Sequence, residues 1–242
     1  MSTSWHLIEH QAKTRFAGRP GQLDLGRPEN GFSWQGPDQH SLQLLRFPDG
    51  EACPGLNFRA SPYIRNEDLI VNYGGDELLP FHLQVYWCRR SHPIHADCNA
   101  MEWTLAMQTE CLDRKSQLNT STTGIGAEEI LQLPANDATA VEPIASDTKF
   151  CAAESTGCLL VRLGKMSYIE LIHPQDFLSV EVAYLKEESQ FAINRCLFDC
   201  NLEKGVIVRA RLQGLCVPRE NDEKLLRDAY REFLQRDLPL TT

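Results

Sequence analysis

With 242 residues, 42% hydrophobic and 24% charged, the chain has the composition of a folded globular protein. That excludes a disordered chain and fits one large all-β domain or two smaller ones. The balance of 24 Lys and Arg against 33 Asp and Glu leaves a formal charge of −9; with no basic stripe in view, nucleic acid is not an expected partner. No run reaches the roughly 18 apolar residues of a membrane span, so no membrane partner is expected either.

Met1 to His10 is polar, with Trp5, His6 and Glu9 and no basic segment followed by an apolar stretch, so a secretory signal is not expected. Residues 14–40 are rich in turn formers, among them Gly18, Pro20, Gly21, Gly26, Pro28, Gly31 and Pro37. They predict an extended N-terminal arm over 1–40, anchored by Phe32 and Trp34. The rest, 41–242, reads as one domain. Its first strands are Leu42 to Phe47, Leu69 to Tyr73 and Phe81 to Cys88. The third puts Phe81, Leu83, Val85 and Trp87 on one side, and His82, Gln84 and Tyr86 on the other.

The clearest alternation runs from Met101 to Cys111. Met101, Trp103, Leu105, Met107, Thr109 and Cys111 share one side, and Glu102, Thr104, Ala106, Gln108 and Glu110 the other. This is the period of a strand with one face on a core and one toward water. Gln117 to Gly126, a Ser, Thr and Gly stretch, reads as a flexible crossing or an edge. Ile130 to Leu133 is a short strand, and the small, polar Pro134 to Asp147 is where two halves would divide. Strands then follow at Gly157–Leu163, Ser167–Ile172, Leu178–Leu185, Gln190–Phe198 and Gly205–Leu212. Past Pro218, Asn221 or Asp222 can cap a helix over about 221–236, with Leu225, Leu226, Ala229, Tyr230, Phe233 and Leu234 at helical spacing.

Turns between closely spaced strands, with a single helix at the end, predict an all-β, mainly antiparallel fold. The expected form is a large β-sandwich of roughly ten to twelve strands with one C-terminal α-helix packed on it. In strand count such a sandwich resembles those of aldose mutarotases and related carbohydrate-binding domains. The resemblance rests on architecture, and no motif carries it. The nine cysteines are an odd number scattered along the chain, and Cys111, Cys158 and Cys216 lie in apolar runs. A reduced, cytoplasmic protein is the expectation.

Three groups of residues carry candidate chemistry. Cys88, His92, His95 and Cys98 offer two thiolates and two imidazoles, a donor set for zinc; their compact spacing equally suits a hairpin connection that binds nothing. Glu170 and His173, at a strand end before Pro174, pair a carboxylate with an imidazole for acid/base work. Glu102, Gln108 and Glu110 from one strand, with Arg209 and Arg211 from another, could line a concave polar surface. Trp87, Trp103, Tyr86 and Tyr184 are the stacking candidates beside it, Trp103 sharing the core side of its strand. The competing readings are a surface pair and cross-strand ion pairs worth about 0.2–1 kcal/mol each.

No dinucleotide loop, phosphate loop or nucleophile elbow is present, so no cofactor is expected apart from zinc at the Cys/His cluster. The expected function is binding of a small-molecule ligand such as a carbohydrate, or of a protein partner. The alternative is a cofactor-independent sugar epimerase using Glu170 and His173. Neither the ligand nor the oligomeric state is written in the sequence.

Overall fold

The two-residue alternation is realised as eighteen antiparallel strands in the computed structural model, which describes residues 5–48, 56–74, 81–91, 99–135 and 140–236. The first five are β1 (His6–Ile8), β2 (Gln11–Phe16), β3 (Arg19–Asp24), β4 (Phe32–Gln35) and β5 (Ser41–Arg46). Next come β6 (Asn57–Arg65), β7 (Asp68–Gly74), β8 (Phe81–Ser91), β9 (Asn99–Thr109) and β10 (Arg114–Ile125). Four follow that are mostly short: β11 (Glu129–Pro134), β12 (Glu142–Pro143), β13 (Thr148–Cys151) and β14 (Ser155–Leu163). The last are β15 (Met166–Ile172), β16 (Ser179–Leu185), β17 (Gln190–Leu202) and β18 (Ile207–Pro218), ahead of the helix α1 (Asp222–Gln235).

They form two nine-stranded sheets, ordered β1-β2-β3-β4-β5-β10-β17-β16-β13 and β12-β11-β14-β15-β18-β9-β8-β7-β6. The fold class read from the sequence therefore holds, with more strands than expected. Two segments differ from expectation. Residues 6–35 are not an extended arm: they supply four strands of the first sheet, with the turn formers at the bends between short strands. Phe32 and Trp34 are buried as anchors, inside β4. Gln117 to Gly126 is no flexible crossing but part of β10, a central strand paired with β17 and β5. Its Thr120 and Thr122 are buried, and Thr122 Oγ1 accepts the Leu45 N–H at 3.4 Å. Around 134–147, β11 pairs with both β12 and β14 within the second sheet.

The inner faces meet over an aromatic seam. Trp5 packs edge-on against Phe32 and Trp87, with centroids 6.0 and 6.4 Å apart, and Trp87 meets Trp103 edge-on at 6.0 Å. Such pairs contribute about 0.5–1.5 kcal/mol beyond the burial of their area. One charged pair crosses this interior. Glu170 on β15 and Arg195 on β17 are each 2% exposed and ion-paired, so they join the two sheets. Tyr168 Oη donates to Glu170 at 2.6 Å, and Arg195 donates to the Gly157 carbonyl at 3.0 Å. Burial, then the Glu170 charge, push the Tyr168 hydroxyl well above its usual pKa, so it stays a donor. Gly214 stands opposite Glu170 across the strand pair; a Cβ there would lie 2.7 Å from Tyr168 Oη, in its way.

The helix covers part of the second sheet's outer face. Leu226, Ala229, Tyr230 and Phe233 pack on Leu131, Leu133, Cys158, Leu160, Ile169, Leu171, Leu215 and Val217. Asn221 takes the cap position in a left-handed conformation without a side-chain bond to the helix. The Asp222 carboxylate instead receives Arg162, Ser167 and Arg219 at 2.7–3.2 Å. At the other end Arg211 donates to the Phe233 and Arg236 carbonyls at 2.8 and 3.1 Å and stacks its guanidinium 4.3 Å over the Phe233 ring. Carbonyls that a helix end leaves without partners are thus satisfied from the sheet.

Candidate ligand-binding site

Where the helix stops, the outer face of the same sheet lies open. The register of β18, β9, β8 and β7 arranges it in rows: Ile207, Gln108, His82 and Gly74, then Arg209, Ala106, Gln84 and Asn72. A third row holds Arg211, Thr104, Tyr86 and Ile70, and a fourth Gln213, Glu102, Cys88 and Asp68. The first two rows, Gly74 aside, form the floor of a cleft of about 500 Å³, to which β6 adds Arg59 and the turn after β9 adds Glu110. Small residues make the hollow. Ala106 interrupts the second row between Arg209 and Gln84, and Gly74 ends the first, where a Cβ would overlap the Arg59 side chain.

The cleft's polar groups are held without being used up. Gln84 Nε2 donates to Asn72 Oδ1 at 2.8 Å, which ties together two amides that line the cleft and keeps the Gln84 carbonyl and the Asn72 amino group out of that bond. His82, Gln84 and Tyr86 are half-buried; Gln108, Glu110, Arg59 and Arg209 are exposed. Glu110 pairs loosely with Lys204 at 3.6 Å across the surface. A concave floor with a few convergent polar groups is the usual form of a small-ligand site.

Two further hollows compare poorly. One of about 380 Å³ on the first sheet's outer face, around Ser33, Gln43, Thr123, Ile125 and Leu185, contains no titratable side chain. Another of about 530 Å³, near Glu128, Glu129, Asp147, Glu187 and Glu188, is an acidic rim at a sheet edge.

The residues singled out in the sequence separate on this framework. Gln108, Glu110 and Arg209 line the cleft. Glu102 and Arg211 share its face but are engaged with the helix end: Glu102 receives Arg236 at 2.8 Å and is 6% exposed, and Arg211 is 2% exposed. Trp87 belongs to the opposite, inner face and is 1% exposed, which corrects its assignment to a binding surface; Leu83 and Val85 already share its side of β8. Glu170 points into the interior toward Arg195. His173 stands in the turn after β15, where its Nδ1 accepts the Gln175 N–H at 3.3 Å, so the two have different surroundings.

His92, His95 and Cys98 lie outside the described residues. Cys88 is 4% exposed in the fourth row; burial, and then Asp68 beside it, raise its thiol pKa and oppose the thiolate that zinc would need. Among the described residues no group of three or more His, Cys, Asp and Glu side chains could hold a metal ion. No helix among them is long and apolar enough to cross a membrane.

No protein-family model and no curated protein matches the chain. It is similar to solved structures at low identity. A C. elegans GalM/aldose epimerase homologue matches at 8% identity with a TM-score of 0.49, over 83% of this chain and 96% of that one. An Escherichia coli K12 protein described as a candidate aldose 1-epimerase matches at 11% identity and 0.46, over 90% and 99%. An α-N-acetylgalactosaminidase from Bifidobacterium bifidum matches at 9% identity and 0.46, over 96% of this chain and 39% of that one. The sandwich itself stands on this chain's own strand pairing.

Proposed function

We propose that the protein binds a carbohydrate in the cleft on the outer face of the second sheet. The observation that supports this reading is the pair of outward rows carrying amides, an imidazole and a guanidinium around the hollow at Ala106. A sugar presents hydroxyls that both donate and accept. Planar amides such as Asn72 and Gln84, themselves donors and acceptors, complement them, and the half-buried Tyr86 ring lines the wall for an apolar sugar face.

A ligand that binds the folded state raises its melting temperature, by the equivalent of about 2.7 kcal/mol at a hundredfold excess over Kd. A thermal-shift titration with glucose, galactose and their phosphates is expected to raise Tm for the wild type. The rise should be lost in Gln84→Ala. No shift from any sugar would overturn the reading.

The second reading is cofactor-independent sugar epimerisation. The observation favouring it is that an imidazole, His82, and a carboxylate, Glu110, line one cleft. Proton handling would then fall to these two, with Glu170 committed to Arg195. Polarimetry on freshly dissolved aldoses tests it. His82→Ala should abolish turnover and His173→Ala should spare it; the reverse result would return the role to His173.

A further inference from the structure

The charges in the cleft do not match the chain that carries them. The protein is acidic, at −9, yet the cleft is lined by two guanidiniums, Arg59 and Arg209, and by one carboxylate, Glu110, whose partner is Lys204. The arginines that hold the fold together have partners: Arg162 has Glu129, Asp222 and Glu223, Arg195 has Glu170, and Arg236 has Glu102 and Glu232. Arg59 and Arg209 form no ion pair with any described residue. Arg59 is also positioned. Its stem lies flat across Gly74, whose missing Cβ makes room for it, and this carries the side chain over β7 toward the row of His82 and Gln108. Three strands, β9, β8 and β7, lie between the walls on β18 and β6, so four spacings of about 4.8 Å give a backbone span of about 19 Å, and both side chains line the cleft within it. The cleft volume of about 500 Å³ has room for a sugar ring with an acidic substituent at one wall.

Resting on the carbohydrate reading of this cleft, we propose that its ligand is an anionic sugar, a phosphate ester or a uronate, whose acid group is held by Arg59 while the ring lies over Gln84 and Asn72. A guanidinium grips a carboxylate or phosphate through two parallel hydrogen bonds, whereas a neutral hydroxyl takes one. Arg209 adds positive potential from the opposite wall, which attracts the anion and weakens with salt.

Calorimetric titration of the whole protein with glucose, glucose 6-phosphate, glucuronate and inorganic phosphate tests this. At least one of the two acidic sugars should bind ten-fold or more tighter than glucose, and which one does separates phosphate from carboxylate recognition. Arg59→Gln should remove that advantage, so that the acidic sugar binds the variant no more tightly than glucose binds it, and Gly74→Ala, which displaces Arg59 while keeping its charge, should reduce it. Glucose binding as tightly as both acidic sugars, or an advantage that survives Arg59→Gln, would overturn the proposal and leave the carbohydrate reading intact. Inorganic phosphate binding as tightly as glucose 6-phosphate would overturn it in favour of a bare anion site. No binding by any of the sugars would overturn both.

Discussion

The outer face of the second sheet has two halves that obey opposite rules. Under the helix, the outward positions of β14, β15 and β18 are apolar, with Cys158, Leu160, Ile169, Leu171, Leu215 and Val217 sealed by Leu226, Ala229, Tyr230 and Phe233. Beyond the helix end, the outward positions of β7, β8, β9 and β18 are Asn72, His82, Gln84, Gln108 and Arg209, and they face a cleft. Strand β18 belongs to both, turning from Val217 and Leu215 to Arg211 and then Arg209 along its length. The change falls at the helix C-terminus, where Arg211 meets the last carbonyls. One half spends its side chains on stability; the other keeps polar groups accessible at little structural gain.

The contrast predicts unequal responses to substitution. The interior behind both halves sets the upper scale: Glu170→Gln leaves Arg195 buried without its counter-charge and should cost about 3–5 kcal/mol in urea unfolding. Phe233→Ala, in the covered half, should cost a similar 3–5 kcal/mol, because it empties a fully buried site and removes the ring beneath Arg211. Equal tolerance of Phe233→Ala and a cleft variant would break the distinction.

Alkaline titration sharpens it. Burial under the helix pushes the Cys158 thiol from 9.0 up to about 12 and the Tyr230 hydroxyl from 10.0 up to about 12. The unfolded chain sheds the Cys158 proton from about pH 9 and the Tyr230 proton from about pH 10, while the folded chain keeps both up to about pH 12, so stability falls as pH rises. The slope is about 1.4 kcal/mol per pH unit for each group, and below pH 9 neither contributes any slope. Cys158→Ala should flatten the first part of that decline, as measured by denaturant midpoints at successive pH values. In the open half, Gln84→Ala should change stability by no more than about 0.5 kcal/mol, since a half-exposed amide pair contributes little, while ligand binding is lost.

Much of this architecture is legible in the residues. Met101 to Thr109 alternates strictly because β9 has one face on the core and one outward, and Gln108 could be placed outward from that alone. The helix is legible because Leu226, Ala229, Tyr230 and Phe233 recur at its period. β10 is not: a central strand whose inward positions include Thr120 and Thr122 imitates a polar loop. Nor are β2 to β4, whose short strands sit between the glycines and prolines of their bends.

Within the site, parity finds Gln108, Glu110 and Arg209. It cannot tell that Glu102 and Arg211, on the same face, are covered by a helix arriving from the far end of the chain. Arg59 is hidden for another reason. It lies on β6, at an irregularity in the pairing with β7, in a stretch whose alternation is broken. Glu170 reads as a surface acid because its partner Arg195 comes from the other sheet.

The location of binding is the most direct test. Backbone amide shifts in ¹H–¹⁵N spectra, followed while glucose 6-phosphate or glucuronate is added, should move chiefly at Gly74, His82, Gln84, Ala106, Gln108 and Arg209. Shifts confined instead to the first sheet, around Gln43, Thr123 and Ala192, would contradict the account.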